Sequence, residues 1–319
     1  MPAPLAPPTS FREILEMVWW RLDAALDLEM IRWSAKLGAL EALETGTTTI
    51  IDHHESPNAI EGSLDVIAEA CAEVGVRVLC AYGVTDRHGT EGAARGLAEN
   101  ERFLREGGQG YVGVHAAFTC DQSTLEAAAD VASRYGVGVH IHVAEGIDDA
   151  NAASRIADLS NDTWLIVHAV HLDETAGVKG TIVHNPRSNL NNAVGYAHPT
   201  RFQQPVALGT DGIGANMLEE FRLAYALQRS HNVRASPDDA WSWLSNSQSL
   251  VPAAQNDNVE WNYDGVNDPW KMAFTTDARP LTITVDNETV LRNGIPTRVD
   301  PIEIRRVASE HAQRLFAKL

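Results

Sequence analysis

Histidine, aspartate and glutamate recur at the ends of apolar, β-branched runs in this sequence. In the motif HVAE, His142 closes one run and Glu145 follows three residues later. A neutral imidazole can ligate Zn²⁺ or Fe²⁺, and a carboxylate just past a strand end can face the same cation. The alternative is that His140 and His142, which lie on one face of the strand, are packed core histidines. The motifs that accompany HVAE favour metal binding.

Two later motifs carry side chains of the same kind. His168 ends a strand in LIVHAVHL, and Asp211 stands in GTDG at the end of the last run. Such an aspartate can bind a metal through one oxygen and accept the proton of an attacking water with the other. The flanking glycines let backbone and substrate approach closely. Alone, GTDG is equally typical of an ordinary turn.

Further polar residues lie at the same ends of other runs. His115, in GVHAAFTC, is a candidate substrate-binding residue. HNPRSN is typical of a turn, with a structural role, and its His184 can face the pocket. DHHESP adds four residues, which we interpret either as supporting residues at the rim or as purely structural ones: Asp52, His53, His54 and Glu55.

The elements that must position these residues follow from seven apolar runs separated by helical patterns. The runs are 47–54, 76–84, 111–118, 137–145, 163–170, 180–186 and 205–211. They predict parallel strands that are buried on both faces. In six runs His or Asp falls near the carboxyl end, which indicates the catalytic rim of a (β/α)-barrel. An open doubly wound sheet is the alternative, but no GxGxxG or Walker sequence follows a strand.

The two ends of the chain show other patterns. A capping box at Ser10 and Glu13 predicts a helix to about Leu26, followed by a helix over about 28–43. The tryptophan-rich stretch after residue 235 has no pattern that we can assign. LTITVDNETVLRNG predicts a hairpin, and Asp300 is expected to cap a last helix. We therefore expect a barrel over 1–250 and a small appendage over 251–319.

Composition limits the partners and the compartment. A net charge of −18 opposes nucleic-acid binding. The three cysteines form no CxxC pair, so we expect reduced, buried thiols. The chain shows no signal segment and no run of 18 apolar residues. We expect a soluble, cytoplasmic protein without a membrane partner.

The ordered set HAAFT, HVAE, HAVHL, HNPRSN and GTDG resembles the amidohydrolase superfamily, in its cytosine-deaminase and chlorohydrolase branch. DHHESP together with VDNETVLRNG is most similar to the SsnA-type aminohydrolases. The resemblance covers nearly the whole chain and is strongest over 47–220. It implies hydrolytic removal of an amino group, less often chloride, from a small N-heterocyclic substrate, with one bound Zn²⁺ or Fe²⁺. A homo-oligomer is left open.

The resemblance also assigns roles to individual residues. His142 is a metal ligand, and Asp211 is both a ligand and a proton acceptor. Glu145 delivers a proton to the ring nitrogen, His168 orients the hydroxide, and His115, with His184, contacts the substrate. These roles agree with general chemistry, because a metal lowers the pKa of water to about 7 while a carboxylate carries the proton.

The sequence departs from the family pattern at both ends. The H-x-H pair that supplies two metal ligands in the first strand of relatives is missing, and the first histidine is His53. In relatives a sequence such as MPAP follows shortly after H-x-H, so the resemblance implies a TIM-like barrel that lacks its first strand. The usual C-terminal G…ADL segment is also missing. Residues 251–319 are therefore expected to form only a remnant of the companion β-sandwich, plus a helix.

Two other interpretations stay open. His140-x-His142 can itself be the first motif, which gives the ligand set His140, His142, His168 and Asp211, although three strands precede it. Alternatively, the chain is a truncated, catalytically inactive remnant. A binuclear site with a carboxylated lysine is disfavoured, because YVGVHAAF contains no lysine.

Overall fold

The computed structural model describes residues 7–319. The MPAP opening, on which the expectation of a preceding H-x-H pair rested, lies outside these residues. Seven strands form the centre of the fold: β1 (Thr49–Ile51), β2 (Arg77–Leu79), β3 (Val112–Ala116), β4 (Val139–Val143), β5 (Leu165–His168), β6 (Thr181–His184) and β7 (Val206–Leu208). Each lies in one predicted run and all pair in parallel. The predicted parallel α/β fold is confirmed.

The seven strands lie side by side in chain order. β1 pairs with β2, β3 to β7 form a continuous sheet, and a bridge between Cys80 and Gly110 connects the two parts. Among the described residues, β7 is not paired with β1. Its free edge is instead covered by a helix, Pro237–Ser249, in which Ser247 Oγ accepts the N–H of Leu208 at 2.8 Å. The barrel is therefore open between its first and last strands.

Helices alternate with most of the strands, and further helices precede β1 and follow β7. They are α1 (Phe11–Ile14), α2 (Trp20–Ala25), α3 (Leu28–Glu44), α4 (Ser63–Val74), α5 (Gly89–Arg105), α6 (Gln122–Tyr135), α7 (Ala153–Ile156), α8 (Pro186–Asn191), α9 (Met217–His231), α10 (Pro237–Ser249), α11 (Pro269–Phe274) and α12 (Pro301–Phe316). Ser10 caps α1 as predicted, because its Oγ accepts the Glu13 N–H at 3.2 Å. A π-helical turn, Leu15–Trp19, joins α1 to α2. The tryptophan-rich stretch that showed no assignable pattern forms α10.

The C-terminal segment forms a larger sheet than the predicted hairpin. Its antiparallel order is β11–β10–β9–β8, with bounds β8 (Asn258–Trp261), β9 (Pro280–Val285), β10 (Glu288–Arg292) and β11 (Ile295–Pro296). The hairpin of β9 and β10 is confirmed, and its turn residues Asp286 and Asn287 both have positive φ, at 50° and 67°, as a type I′ turn requires. Asp300 caps α12 as predicted, since its Oδ1 accepts the Ile302 N–H at 2.8 Å.

This sheet packs on the β1 and β2 side of the barrel. Val290 and Leu291 share one hydrophobic core with α3 and α4, whereas β3 to β7 belong to another. On β2, both terminal nitrogens of Arg77 bind the buried carboxylate of Asp257, at 2.8 and 3.1 Å. The appendage is thus anchored by apolar packing and a buried ion pair. The domain boundary at residue 250 stays a prediction.

The cysteines agree with the sequence-based expectation. Cys71, Cys80 and Cys120 are buried, and none is in a disulfide. Burial also raises the pKa of each thiol, so all three stay protonated at neutral pH. Across residues 7–319, no helix is long and apolar enough to cross a membrane.

Candidate active site

A cavity of about 1210 Å³ lies inside the barrel and reaches the carboxyl ends of the strands. Five of the six predicted site residues line it: His115, His142, Glu145, His168 and Asp211. The sixth, His184, is not part of the cavity wall. The structure therefore brings together side chains from β3, β4, β5 and the turn after β7, as the positions of the motifs predicted.

Three of these residues face one point. The ligand atoms of Glu145, His168 and Asp211 all lie within 4.8 Å of one another. His168 Nε2 is 3.5 Å from Glu145 Oε2 and 3.7 Å from Asp211 Oδ2. An imidazole nitrogen and two carboxylates at this separation can hold a water or a divalent cation between them. We call this set the carboxylate group.

Helix α8 orients every member of the carboxylate group. His168 Nδ1 donates to Asn189 Oδ1 at 2.8 Å, which leaves the Nε2 lone pair facing the cavity. Ser188 Oγ donates to Asp211 Oδ2 at 2.5 Å, and Asn192 Nδ2 donates to a Glu145 oxygen at 3.1 Å. The supporting residues all lie on α8 or immediately after it: Ser188, Asn189 and Asn192.

These three supporting residues were missed by the sequence analysis. HNPRSN was interpreted as a turn, and the structure shows that it begins a short helix with Pro186 in its first turn. A signal was present, because Ser188 and Asn192 are four residues apart and so share one face of a helix. The spacing indicates a shared face only if the segment is helical, and the turn-forming residues of HNPRSN do not predict a helix.

The surroundings shift the protonation of the carboxylate group. Burial, followed by the charge of Asp211, raises the pKa of Glu145 to about 7. Burial lowers the pKa of His168, so its imidazole is neutral at pH 7. A carboxyl group with a pKa near 7 can both give and take a proton at neutral pH, which is what general acid–base catalysis requires.

A second set of residues, all histidines, lies beside the first. The ligand atoms of His53, His140 and His142 are within 4.8 Å of one another. The ring of His53 lies 4.7 Å from that of His140 and 4.6 Å from that of His142, measured between centroids. The His142 ring is also 5.3 Å from the His168 ring, so it lies between the two sets. We call this set the histidine group.

The histidine group fits a divalent cation. Both ring nitrogens of His53 and Nδ1 of His140 are buried and, among the described residues, have no hydrogen-bond partner. Burial lowers the pKa of all three imidazoles, to about 3 for His140, so their lone pairs are free at pH 7. Neutral, buried and otherwise unpaired imidazoles are the donors that Zn²⁺ prefers.

His54 and Glu55, from the same motif, have partners outside both groups, whereas Oδ2 of Asp52 is buried without a hydrogen-bond partner among the described residues. His54 Nε2 is 2.8 Å from Ser56 Oγ, and Glu55 forms a buried ion pair with Arg87. The two contacts connect the segment after β1 to Ser56, in the same segment, and to Arg87, after β2. Of the four residues interpreted as rim or structural, the structure therefore brings His53 to the centre of the barrel.

The two predicted substrate-binding histidines have different environments. His115 Nδ1 donates to Thr119 Oγ1 at 2.9 Å, its Nε2 is 4.0 Å from Glu55 Oε2, and its ring is 5.8 Å from that of His142. His184 is fully buried, with its ring 5.9 Å from Tyr196 and 6.1 Å from Trp243. His115 therefore reaches the cavity, whereas His184 packs between two aromatic rings.

Comparisons with known proteins agree with this geometry. The amidohydrolase family matches residues 7–255. The chain is 32% identical to the 5'-deoxyadenosine deaminase of Methanopyrus kandleri over 268 residues, which covers 72% of this chain and 61% of the relative. It is 33% identical to the 5-methylthioadenosine/S-adenosylhomocysteine deaminase of Pelotomaculum thermopropionicum. That alignment covers 66% of this chain and 53% of the relative. The chain thus spans about three fifths or less of the length of these two relatives.

Solved structures show the same fold. An adenosine deaminase from Xanthomonas campestris with bound zinc superposes with a TM-score of 0.78 at 19% identity, covering 98% of this chain and 82% of the other. Atrazine chlorohydrolase from Arthrobacter aurescens, complexed with zinc, has a TM-score of 0.74 at 18% identity, covering 97% and 84%. The predicted TIM-like barrel is therefore confirmed.

Proposed function

Because the chain belongs to the amidohydrolase family, we propose that it catalyses metal-dependent hydrolytic deamination of a small N-heterocycle in the barrel cavity. The observation that carries the proposal is the carboxylate group, in which Glu145, His168 and Asp211 face one point on the cavity wall. The names of the curated relatives support an adenine-containing nucleoside as the substrate. Trp19, Trp20 and Phe118 also line the cavity, and such rings can stack on a purine.

Each residue of the carboxylate group has a task in this reaction. Asp211 and the neighbouring His142 would hold the cation, which would supply water acidic enough to attack at neutral pH. The Ser188 hydrogen bond aims one oxygen of Asp211, and this carboxylate accepts the proton of the attacking water. Glu145, with a pKa near 7, donates a proton to the ring nitrogen.

Two histidines complete the arrangement. His168 is fixed by Asn189 so that its free Nε2 faces the attacking water and orients it. His115, on β3, lines the cavity beside Glu55 and contacts the substrate from there. His184 as a substrate contact, the cytoplasmic location, a homo-oligomer and the choice between zinc and iron all stay predictions.

Ammonia release tests the proposal directly. The protein is loaded with Zn²⁺ or Fe²⁺ and assayed for ammonia with 5'-deoxyadenosine, adenosine and free adenine. We expect release from at least one of them, lowered by about 10²–10⁴-fold in Glu145→Gln and in Asp211→Asn. Asp148→Asn is the matched control, because Asp148 lies on the same loop as Glu145 but is exposed.

Two results would contradict the proposal. If metal-loaded, folded protein releases no ammonia from any of a panel of aminated N-heterocycles, the inactive alternative is supported. If Asp211→Asn retains full activity, the chain is a deaminase but the mechanism is wrong.

A further inference from the structure

We infer that His53, His140 and His142 form the nitrogen donor set that holds the catalytic cation in this chain. The inference rests on the proposed function for its catalytic meaning, but binding of the metal by these three side chains is measurable without turnover. It adds His53, which no motif assigns, to the metal site, and it places His140 there with His53 and not with His168.

The first argument is placement across the barrel. His53 follows the end of β1, whereas His140 and His142 alternate along β4, so both point to the same face of that strand. β1 and β4 are not neighbours in the sheet. Their histidines therefore meet because they project into the barrel interior, where the cavity lies.

The second argument is the balance of hydrogen bonds. Three buried ring nitrogens, two on His53 and one on His140, have no partner among the described residues. An unsatisfied buried polar atom costs about 1–3 kcal/mol. Three imidazoles that face one another cannot satisfy each other while neutral unless their N–H groups and lone pairs alternate, whereas one cation satisfies a lone pair from each. A histidine cluster with three unpaired buried nitrogens is thus best explained by a ligand between the rings.

The third argument is the space left beside His53. A Cβ atom on Gly83 would lie 2.6 Å from His53 Nε2, so only glycine at this position leaves the ring where it is. The ring therefore packs directly on the Gly83 backbone, which fixes its position against the cavity wall. A ring that is held in place in this way is preorganised as a ligand.

The fourth argument concerns the open position. Catalytic zinc sites commonly have three protein ligands and one position for water or substrate. His142 lies between the histidine group and the carboxylate group, with its ring 5.3 Å from that of His168. A cation on the three imidazoles therefore has its remaining positions toward the carboxylate group, where Asp211 is the oxygen ligand of the proposed function and water lies beside Glu145 and His168. Water held there lies beside the residues that the proposed reaction uses.

Zinc affinity of single variants tests the inference. The dissociation constant for Zn²⁺ is measured by competition with a chromophoric chelator for the wild type, His53→Gln and His140→Gln. Loss of a residue that only hydrogen-bonds to a ligand weakens metal affinity by about 10–100-fold. Because His53 and His140 are inferred to be ligands themselves, we expect the dissociation constant of each variant to rise by more than about 100-fold. His171→Gln is the matched control, because His171 lies outside the cavity wall with its Nε2 2.9 Å from the Val194 carbonyl oxygen, and we expect the zinc affinity of this variant to be unchanged.

A second measurement needs no variant and so remains decisive if a substitution prevents folding. X-ray absorption of the zinc-loaded wild type counts imidazole ligands, and we expect three at about 2.0–2.1 Å. The inference is overturned if one imidazole is found, or if folded His53→Gln and His140→Gln bind zinc as the wild type does. Zinc held by three imidazoles without ammonia release would contradict only the proposed function. Ammonia release that persists in His53→Gln would contradict only the inference.

Discussion

The turn that carries Glu145 depends on a buried acid, Asp149, and its protonation can be measured. Asp149 is 5% exposed, and its Oδ2 accepts the N–H of Ala144 at 2.7 Å. Burial raises the pKa of Asp149 to about 7 from an ordinary value of 3.8. Asp149→Asn retains an acceptor oxygen for Ala144 but cannot ionise. The substitution therefore removes the pH-dependent part of the interaction and keeps its geometry.

The sign and size of the effect follow from the two pKa values. Because the folded-state pKa lies above that of the unfolded chain, the folded protein keeps a proton that the unfolded chain has lost, and stability falls as pH rises from about 4 to 7. At about 1.4 kcal/mol for each pH unit, the full difference is roughly 4 kcal/mol. Between pH 5 and pH 8.5, Asp149→Asn should gain roughly 3 kcal/mol relative to the wild type.

Urea unfolding at both pH values, in the presence of a chelator, measures this gain as a difference between two variants. Groups other than Asp149 titrate in both proteins and cancel. Asp149→Ala is the control for geometry, since it removes the Ala144 contact as well, and it should be less stable than Asp149→Asn at either pH. If the stability difference between wild type and Asp149→Asn is the same at pH 5 and pH 8.5, Asp149 does not hold a proton in the folded protein and the reasoning fails.

Three further predictions concern packing and support. Arg77→Met leaves Asp257 buried without its partner and should lower the free energy of urea unfolding by about 3–5 kcal/mol; an unchanged midpoint would show that the ion pair does not anchor the appendage. Gly138→Ala places a Cβ 1.9 Å from the backbone oxygen of Thr163 and should lower the melting temperature. Gly38→Ala, in open space on α3, should instead raise the free energy of unfolding by about 0.5–1 kcal/mol. Asn189→Ala should lower ammonia release about 10–100-fold without loss of fold, and undiminished release would remove its positioning role.

Much of the fold could be predicted because its signals are local. The seven strands are apolar runs rich in valine and isoleucine, and each is short enough to be identified without knowledge of its partners. Glu145, His168 and Asp211 could be placed at the same rim because the carboxyl ends of parallel strands meet there. The caps at Ser10 and Asp300 were equally local.

What could not be predicted depends on contacts between distant segments. His53 and His140 are 87 positions apart on strands that are not neighbours, so no spacing in the sequence indicates that their rings meet. β8 and β11 have only four and two residues, which is too short for a pattern to predict a strand, and they are strands because they pair with the hairpin. Helix α10 is stabilised by burial of Trp243 against the barrel, which composition alone does not show.

Backbone strain connects the supporting residues to the chemistry. Ala144, His168 and Asp211 have φ values of 49°, 70° and 52°, in the left-handed region that residues with a side chain rarely adopt. Each costs roughly 1–2 kcal/mol, and all three lie where a strand of the site turns over the cavity. A hydrogen bond opposes the strain at every one: from Ala144 to Asp149 and from His168 to Asn189, which are buried, and from Ser188 to Asp211, which is partly buried.

The same three contacts also fix the directions of the functional atoms. The Asp149 contact sets the turn from which Glu145 projects, and the other two aim His168 Nε2 and an oxygen of Asp211. A supporting residue therefore acts on geometry and on stability through one bond. Its loss should release the strained turn, so that the backbone relaxes and the donor atoms move apart, even when the functional side chains themselves are unchanged.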